Sequence, residues 1–237
     1  EACSRRERTL YFTGLLGLMA LATFVLNVGV LGAIFNVTPA AEQFLVYGVF
    51  GLTLAYAYGL RLMLVPGLVC AVAYLTCAIA TLAGVHWMFA LLRPETLILA
   101  GLLTIAVPFF LRHDRRESFP PVYRLLGLLA IFMPVFALSH WGEGSFLPLT
   151  ADGVEIVYQV LGFVMAGLAI WAGIRLGYRE VIYTGCTFFV IFLYTKFFDW
   201  WWELLPRYLF FLVLGLVAVG LLLILGRARR LVTEVWR

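Results

Sequence analysis

Histidines and carboxylates are the side chains in this sequence best suited to chemistry, and they are unevenly spread. His86, His140, Glu95, Glu143, Asp152, Glu155, Gln159, Lys196, Asp199 and Glu203 all fall near one set of ends of long apolar runs. Imidazole and carboxylate groups can ligate metals and carry protons. His86, His140 and Glu143 would form such an outward-facing site if the apolar runs that carry them touch. A plainer account fits the same residues. Asp152 and Glu155 have the D-x-x-E spacing of a helix cap, and Trp87 and Trp141, beside the two histidines, suit a membrane–water boundary. No two of these groups have metal-site spacing. G-x-S-x-G, H-E-x-x-H, C-x-x-C, Walker and C-x-x-C-H patterns are all missing from the sequence. The expectation is a chain with no catalytic centre, no cofactor and no bound metal.

Two pairs lie deeper. Glu155 and Gln159 are four residues apart and share a helix face, with Gln159 more than a turn inside an apolar run. Either a functional site or a structural hydrogen bond would explain them, because polar groups inside a span are costly. They are expected to face protein rather than lipid. Lys196 and Asp199 are three apart and can pair, close enough to an interface for lysine to snorkel.

The elements that must carry these groups follow from composition. The 237 residues are 64% hydrophobic, 16% aromatic and 13% charged, against about a quarter charged in ordinary soluble domains. That excludes a water-soluble globule, a disordered segment or a nucleic-acid-binding module. A spanning helix needs roughly 20 mostly apolar residues. Runs of that kind predict helices at Leu10–Ala33, Glu42–Tyr58, Pro66–Gly84, Glu95–Leu111, Val122–Leu138, Val154–Ile174, Val181–Phe198 and Arg207–Leu225. The fold class is therefore all-α: a polytopic membrane protein of about eight spans in four hairpins, one helical-bundle domain over 1–237. Gly59 and Pro66 divide the second span from the third, as a good terminator and a good first helical residue.

Of the 17 Lys and Arg, only Arg93, Lys196 and Arg207 fall on one side of this arrangement. The positive-inside rule makes the other side cytoplasmic and puts both termini there. The basic balance then reads as a topology signal and a lipid-headgroup contact, with no nucleic-acid partner. The first run is too long for a signal-peptide core and no A-x-A-like site follows it, so a retained span is expected. Cys3 lies on the inner side. Cys70, Cys77 and Cys186 lie inside spans as small packing residues, and Cys70 and Cys77 are about 10 Å apart along one helix, too far to bridge.

Prolines recur at each outer turn, at Pro39, Pro94, Pro148 and Pro206. His86 precedes Pro94 by eight residues, and His140 precedes Pro148 by eight. Either 66–120 and 121–180 descend from a duplicated hairpin, or an aromatic-rich interface repeats by chance. Small residues four apart suggest close helix contacts: Gly51, Ala55 and Gly59; Ala73, Cys77 and Thr81; Gly162 and Ala166; Ala169 and Gly173. Contacts within one bundle account for them at least as well as a dimer interface.

The C-terminal part carries Gly177-Tyr178-Arg179-Glu180, Tyr194-Thr195-Lys196-Phe197-Phe198-Asp199, Leu204-Leu205-Pro206-Arg207-Tyr208-Leu209-Phe210-Phe211 and Gly226-Arg227-Ala228-Arg229-Arg230. This layout resembles the last two spans of a family of bacterial predicted integral membrane proteins of unknown function, some found beside proteins bearing a GDYxxLxY motif. The likeness covers roughly a quarter of the chain, and Lys196 stands where arginine is as common. It implies a bacterial inner-membrane protein, often with a cytoplasmic segment before the first span, and brings no activity with it.

Three functions compete. The first is a non-catalytic accessory or assembly subunit that packs against membrane lipids and against other integral membrane proteins or itself. Trp200, Trp201 and Trp202 serve this reading, because three consecutive helical residues cannot share one face and tryptophan is enriched among interface anchors. The second is a small-solute transporter or channel, although no Asp, Glu, Lys or Arg lies near a span centre and Pro108 and Pro134 lie near helix ends. The third is a membrane enzyme using the outward His and carboxylate cluster.

Overall fold

A computed structural model describes residues 2–110 and 118–201 and a few positions between 212 and 220. It is 85% helical, and no strand occurs among the described residues. Among the described residues seven helices follow in order: α1 Ala2–Ile34, α2 Glu42–Tyr58, α3 Arg61–Leu82, α4 Pro94–Phe110, α5 Pro120–Leu138, α6 Ala151–Leu176 and α7 Arg179–Trp201. Two short 3-10 turns interrupt the connections, Trp87–Leu92 before α4 and Gly142–Gly144 between α5 and α6.

Among the described residues five helices are long and apolar enough to cross a membrane: α1, α3, α5, α6 and α7. The other two, α2 and α4, have 17 residues each, a rise of only about 25 Å. The eighth expected span, Arg207–Leu225, lies almost wholly outside the described residues.

Local chemistry sets the boundaries. Gly59 ends α2 in the left-handed region, at φ 68°, where a Cβ is strained. The third helix then starts at Arg61 rather than at Pro66, which correction has a clear cause. The Leu60 carbonyl at once accepts the amides of Met63 and Leu64, and Leu60, Met63 and Leu64 are all buried. Pro66 sits inside the helix and forfeits one backbone bond, a smaller loss than leaving three large apolar side chains unburied. Pro94 and Pro120 are first helical residues, where a missing N–H costs nothing.

The chain forms two compact units, 1–162 and 163–237, with the division inside α6. In the first unit, α2 meets α3 where a Cβ on Gly51 would come within 2.9 Å of Gly67 Cα. A Cβ on Gly101 would stand 2.7 Å from the Gly127 carbonyl, so α4 and α5 touch backbone to backbone. Around these crossings lies an apolar core that includes Leu21, Ala55, Met63, Leu64, Leu68, Phe119 and Val122. The hydroxyls of Tyr56 and Tyr123 meet within it at 3.0 Å. In the second unit, α6 and α7 turn about Gly177 (φ 74°). Gly173 presses on Ile182, Gly185 on Ala166 and Ala169, and the Phe163 ring stands 5.6 Å from that of Phe189.

The small-residue patterns thus resolve unevenly. Gly51 and Ala55 are buried at a crossing, but Gly59 is an exposed helix terminator. Only Cys77 is fully buried of the Ala73, Cys77 and Thr81 set, because the buried ridge of α3 runs through Leu68, Val72, Thr76 and Ala80. Gly162, Ala166, Ala169 and Gly173 are all buried.

Candidate functional site: a polar clasp at the helix ends

Several polar groups of the first unit gather where α4 begins, α5 ends and α6 begins. Three residues open α4 as Arg93-Pro94-Glu95, and the segment Gly144-Ser145-Phe146 lies against them. The Arg93 guanidinium donates to the Ser145 carbonyl at 2.7 Å and, more weakly, to that of Gly144 at 3.4 Å. It also stands 4.9 Å from the centre of the Phe146 ring, a cation–π distance. Glu95 takes the complementary groups. Its Oε1 accepts from the Ser145 hydroxyl at 2.5 Å, the Phe146 amide at 2.8 Å and the Tyr158 hydroxyl at 3.4 Å. A cation therefore holds carbonyls while an anion holds N–H and O–H donors of the same short stretch. Charge-assisted bonds of this kind are roughly twice as strong as neutral ones. Thr96 completes the start of α4 by donating to the Arg93 carbonyl at 2.8 Å.

The end of α5 is tied down differently. His140 Nδ1 lies 3.0 Å from the Phe136 carbonyl and 2.9 Å from the Ser139 hydroxyl, which itself donates to Phe136 at 2.7 Å. A carbonyl can only accept, so this contact assigns the Nδ1 position a proton. The neutral ring then carries its lone pair on Nε2, which is buried without a partner. Gln159 donates from Nε2 to the Ser139 carbonyl at 3.0 Å, and Glu155 accepts the Gly142 amide at 3.4 Å. Both α6 side chains therefore face protein. Gly142 is buried so tightly that a Cβ there would collide with the Ala151 carbonyl.

Several expected roles change. The cap of α6 is Thr150, whose Oγ1 accepts the Gly153 amide at 3.3 Å, and not Asp152 with Glu155. The helix starts one residue before Asp152, which leaves that carboxylate exposed. His86, His140 and Glu143 do not converge. His86 is exposed and its Nδ1 accepts the Met88 amide at 3.3 Å, Glu143 is exposed, and His140 turns back onto its own helix. Among the described residues no three His, Cys, Asp or Glu side chains group to hold a metal ion. Lys196 is half-buried on α7. The side chains of Asp199, Trp200 and Trp201, and the whole of Trp202, lie outside the described residues.

The clasp includes residues that sequence reasoning passed over: Arg93 figured only as a topology charge, and Ser139, Ser145 and Tyr158 not at all. One signal was present, the R-P-E run at a helix start, where a first-turn carboxylate suits the helix dipole. The Oε2 atom of Glu95 is, like His140 Nε2, buried and without a partner. Against protein-family models, curated proteins and solved structures, the chain matches nothing.

Proposed function

We propose that this chain is an integral membrane accessory or assembly subunit that works by association with other membrane proteins or with a second copy. In this reading it lies in a bacterial inner membrane, with eight spans in four hairpins and both termini cytoplasmic. The observation that carries it is how the polar groups are spent. Arg93, Glu95, Glu155 and Gln159 bind the backbone of the protein's own turns, where a conducting or catalytic site would leave such groups lining a wet path. Contact surfaces then remain as the working part of the molecule. Gentle detergent extraction should recover the chain in a complex larger than its 26.6 kDa. Recovery as a monomer that moves a solute across liposomes would overturn the reading. Reporter fusions at Gly142 and Asp114 should give opposite sides, with Asp114 inside.

One observation favours a second reading, in which separate buried acceptors, and not a His and carboxylate cluster, take up a guest. Glu95 Oε2 and His140 Nε2 are both buried acceptors lacking a donor, and buried polar atoms are seldom left so. A guest bearing O–H or N–H groups, such as water, an alcohol or an ammonium ion, would satisfy them. Titration with methylammonium should shift the nitrogen-15 resonance of His140 Nε2. An unmoved resonance up to molar methylammonium would sink this second reading.

A further inference from the structure

A cavity of about 420 Å³ opens among Phe44 of α2, Val69, Val72, Ala73, Thr76 and Cys77 of α3, the 3-10 turn at Trp87 and Met88, Leu97 of α4, and Leu129, Ala130 and Met133 of α5. That volume is within the ~300–1,000 Å³ typical of ligand pockets. Its walls are almost entirely carbon. The Thr76 hydroxyl in the wall is already spent on the Val72 carbonyl at 2.8 Å. Cys77 Sγ lies 3.8 Å from the Trp87 carbonyl. Neither the Thr76 hydroxyl nor the Cys77 thiol is thus free for a polar ligand, and an unfilled apolar cavity forfeits dispersion contacts and does not take up water.

The rim says where the cavity opens. Val69, Met88 and Met133 are 51%, 62% and 58% exposed. An apolar rim on α3 and α5, both long enough to span, opens towards hydrocarbon and not towards water. The wall residues come from the starts of α2 and α4, the middle and later turns of α3, the middle of α5 and, at one end, Trp87 and Met88 of the 3-10 turn. The opening is therefore in the leaflet beside the 3-10 turns. Two of the rim side chains are methionines, which adapt to an irregular guest.

We propose that this cavity binds one acyl chain of a membrane phospholipid, which enters sideways between α3 and α5 and passes beneath Trp87. The inference needs only that the helices lie in a bilayer, and holds whether or not the chain is a subunit of a complex. Buried wall residues make it testable, since Cys77 is 8% exposed and bulk lipid cannot reach it. The full chain is placed in phosphatidylcholine–phosphatidylglycerol vesicles containing phosphatidylcholine with a diazirine part-way along one acyl chain, irradiated, and mapped by mass spectrometry. Label is expected on Cys77 and Ala130 as well as on exposed Leu99 and Leu102, which report that the protein is in the bilayer at all. Filling the cavity from either wall, by Ala73→Phe or Leu129→Trp, should cut the Cys77 label at least tenfold and leave Leu99 labelled. Either variant serves if its melting matches the wild type. Label on Leu99 without label on Cys77 would overturn the proposal. So would Cys77 label that survives in a filled variant of unchanged stability.

Discussion

The same dipeptide, His-Trp, closes α3 and α5, eight residues ahead of a proline each time, yet the two turns are built in opposite senses. At the first, His86 is exposed and its Nδ1 accepts a backbone N–H from Met88. At the second, His140 folds back, its Nδ1 faces a carbonyl, and its Nε2 is buried. A neutral imidazole has one donor and one acceptor nitrogen, so the two rings hold opposite tautomers. The cause is the residue that follows. Met88 is free to extend outwards, whereas Gly142 is pressed against Ala151 and pulls its turn under α6. A motif shared by two turns does not carry a role; the next side chain decides it.

Breaking the second turn should have the largest effect. Gly142→Ala places a Cβ on the Ala151 carbonyl, and a loss of about 3 kcal/mol is expected from thermal melting in detergent micelles. Met88→Ala, at the matching position, should leave the melt almost unchanged. Similar losses from both would mean that the glycine does not distinguish the turns.

Next comes the clasp by which Arg93 and Glu95, just past the first turn, hold the second. Glu95→Ala leaves the Phe146 amide and the Ser145 hydroxyl without an acceptor and should cost about 1–3 kcal/mol. Glu95→Gln keeps an acceptor and should recover much of that. Hydrogen exchange at Phe146 is the direct readout: its amide should be fast in Glu95→Ala and slow in wild type. An unchanged rate would remove Glu95 from the clasp.

A smaller difference is expected one helix turn deeper. Gln159→Leu strands the Ser139 carbonyl at a cost of roughly 1 kcal/mol. Leu161→Ala, on the more exposed side of α6, should cost less, and equal melting temperatures would show that this face is not special. Smallest of all, His86→Ala should stay within about 0.5 kcal/mol, with His140→Ala clearly above it. Nitrogen-15 spectra sharpen the point further: the protonated nitrogen should be Nδ1 in His140 and Nε2 in His86.

How far these features could be read from sequence depends on how local their causes are. The α2 helix ends where Gly59 says it must, since a left-handed terminator acts within a few residues. The start of α3 was misplaced because Pro66 gives a strong local signal, while the burial of Met63 and Leu64 that overrides it depends on other helices. Glu155 and Gln159 stood out as costly polar groups in an apolar run, so their inward direction was legible. Their partners were not, being backbone groups, which no side-chain pattern marks. The Arg93–Glu95 grip on residues 144–146 was hidden for the same reason. It takes backbone groups of residues 144–146 together with the Ser145 hydroxyl and the Phe146 ring, across some fifty positions and with no repeat or spacing to mark it.

That separation has a consequence for the order in which the protein can be made. Arg93 and Glu95 leave the ribosome well before Ser145 and Phe146, which lie 52 and 51 positions behind their respective partners. At ~5–20 residues per second the wait is roughly 3–10 s. Through that interval the start of α4 carries two charges with nothing yet to bind, and is held at the water boundary. A nascent chain halted before Gly142 should therefore keep Arg93 and Glu95 open to water-soluble reagents, and one released past Tyr158 should close them off.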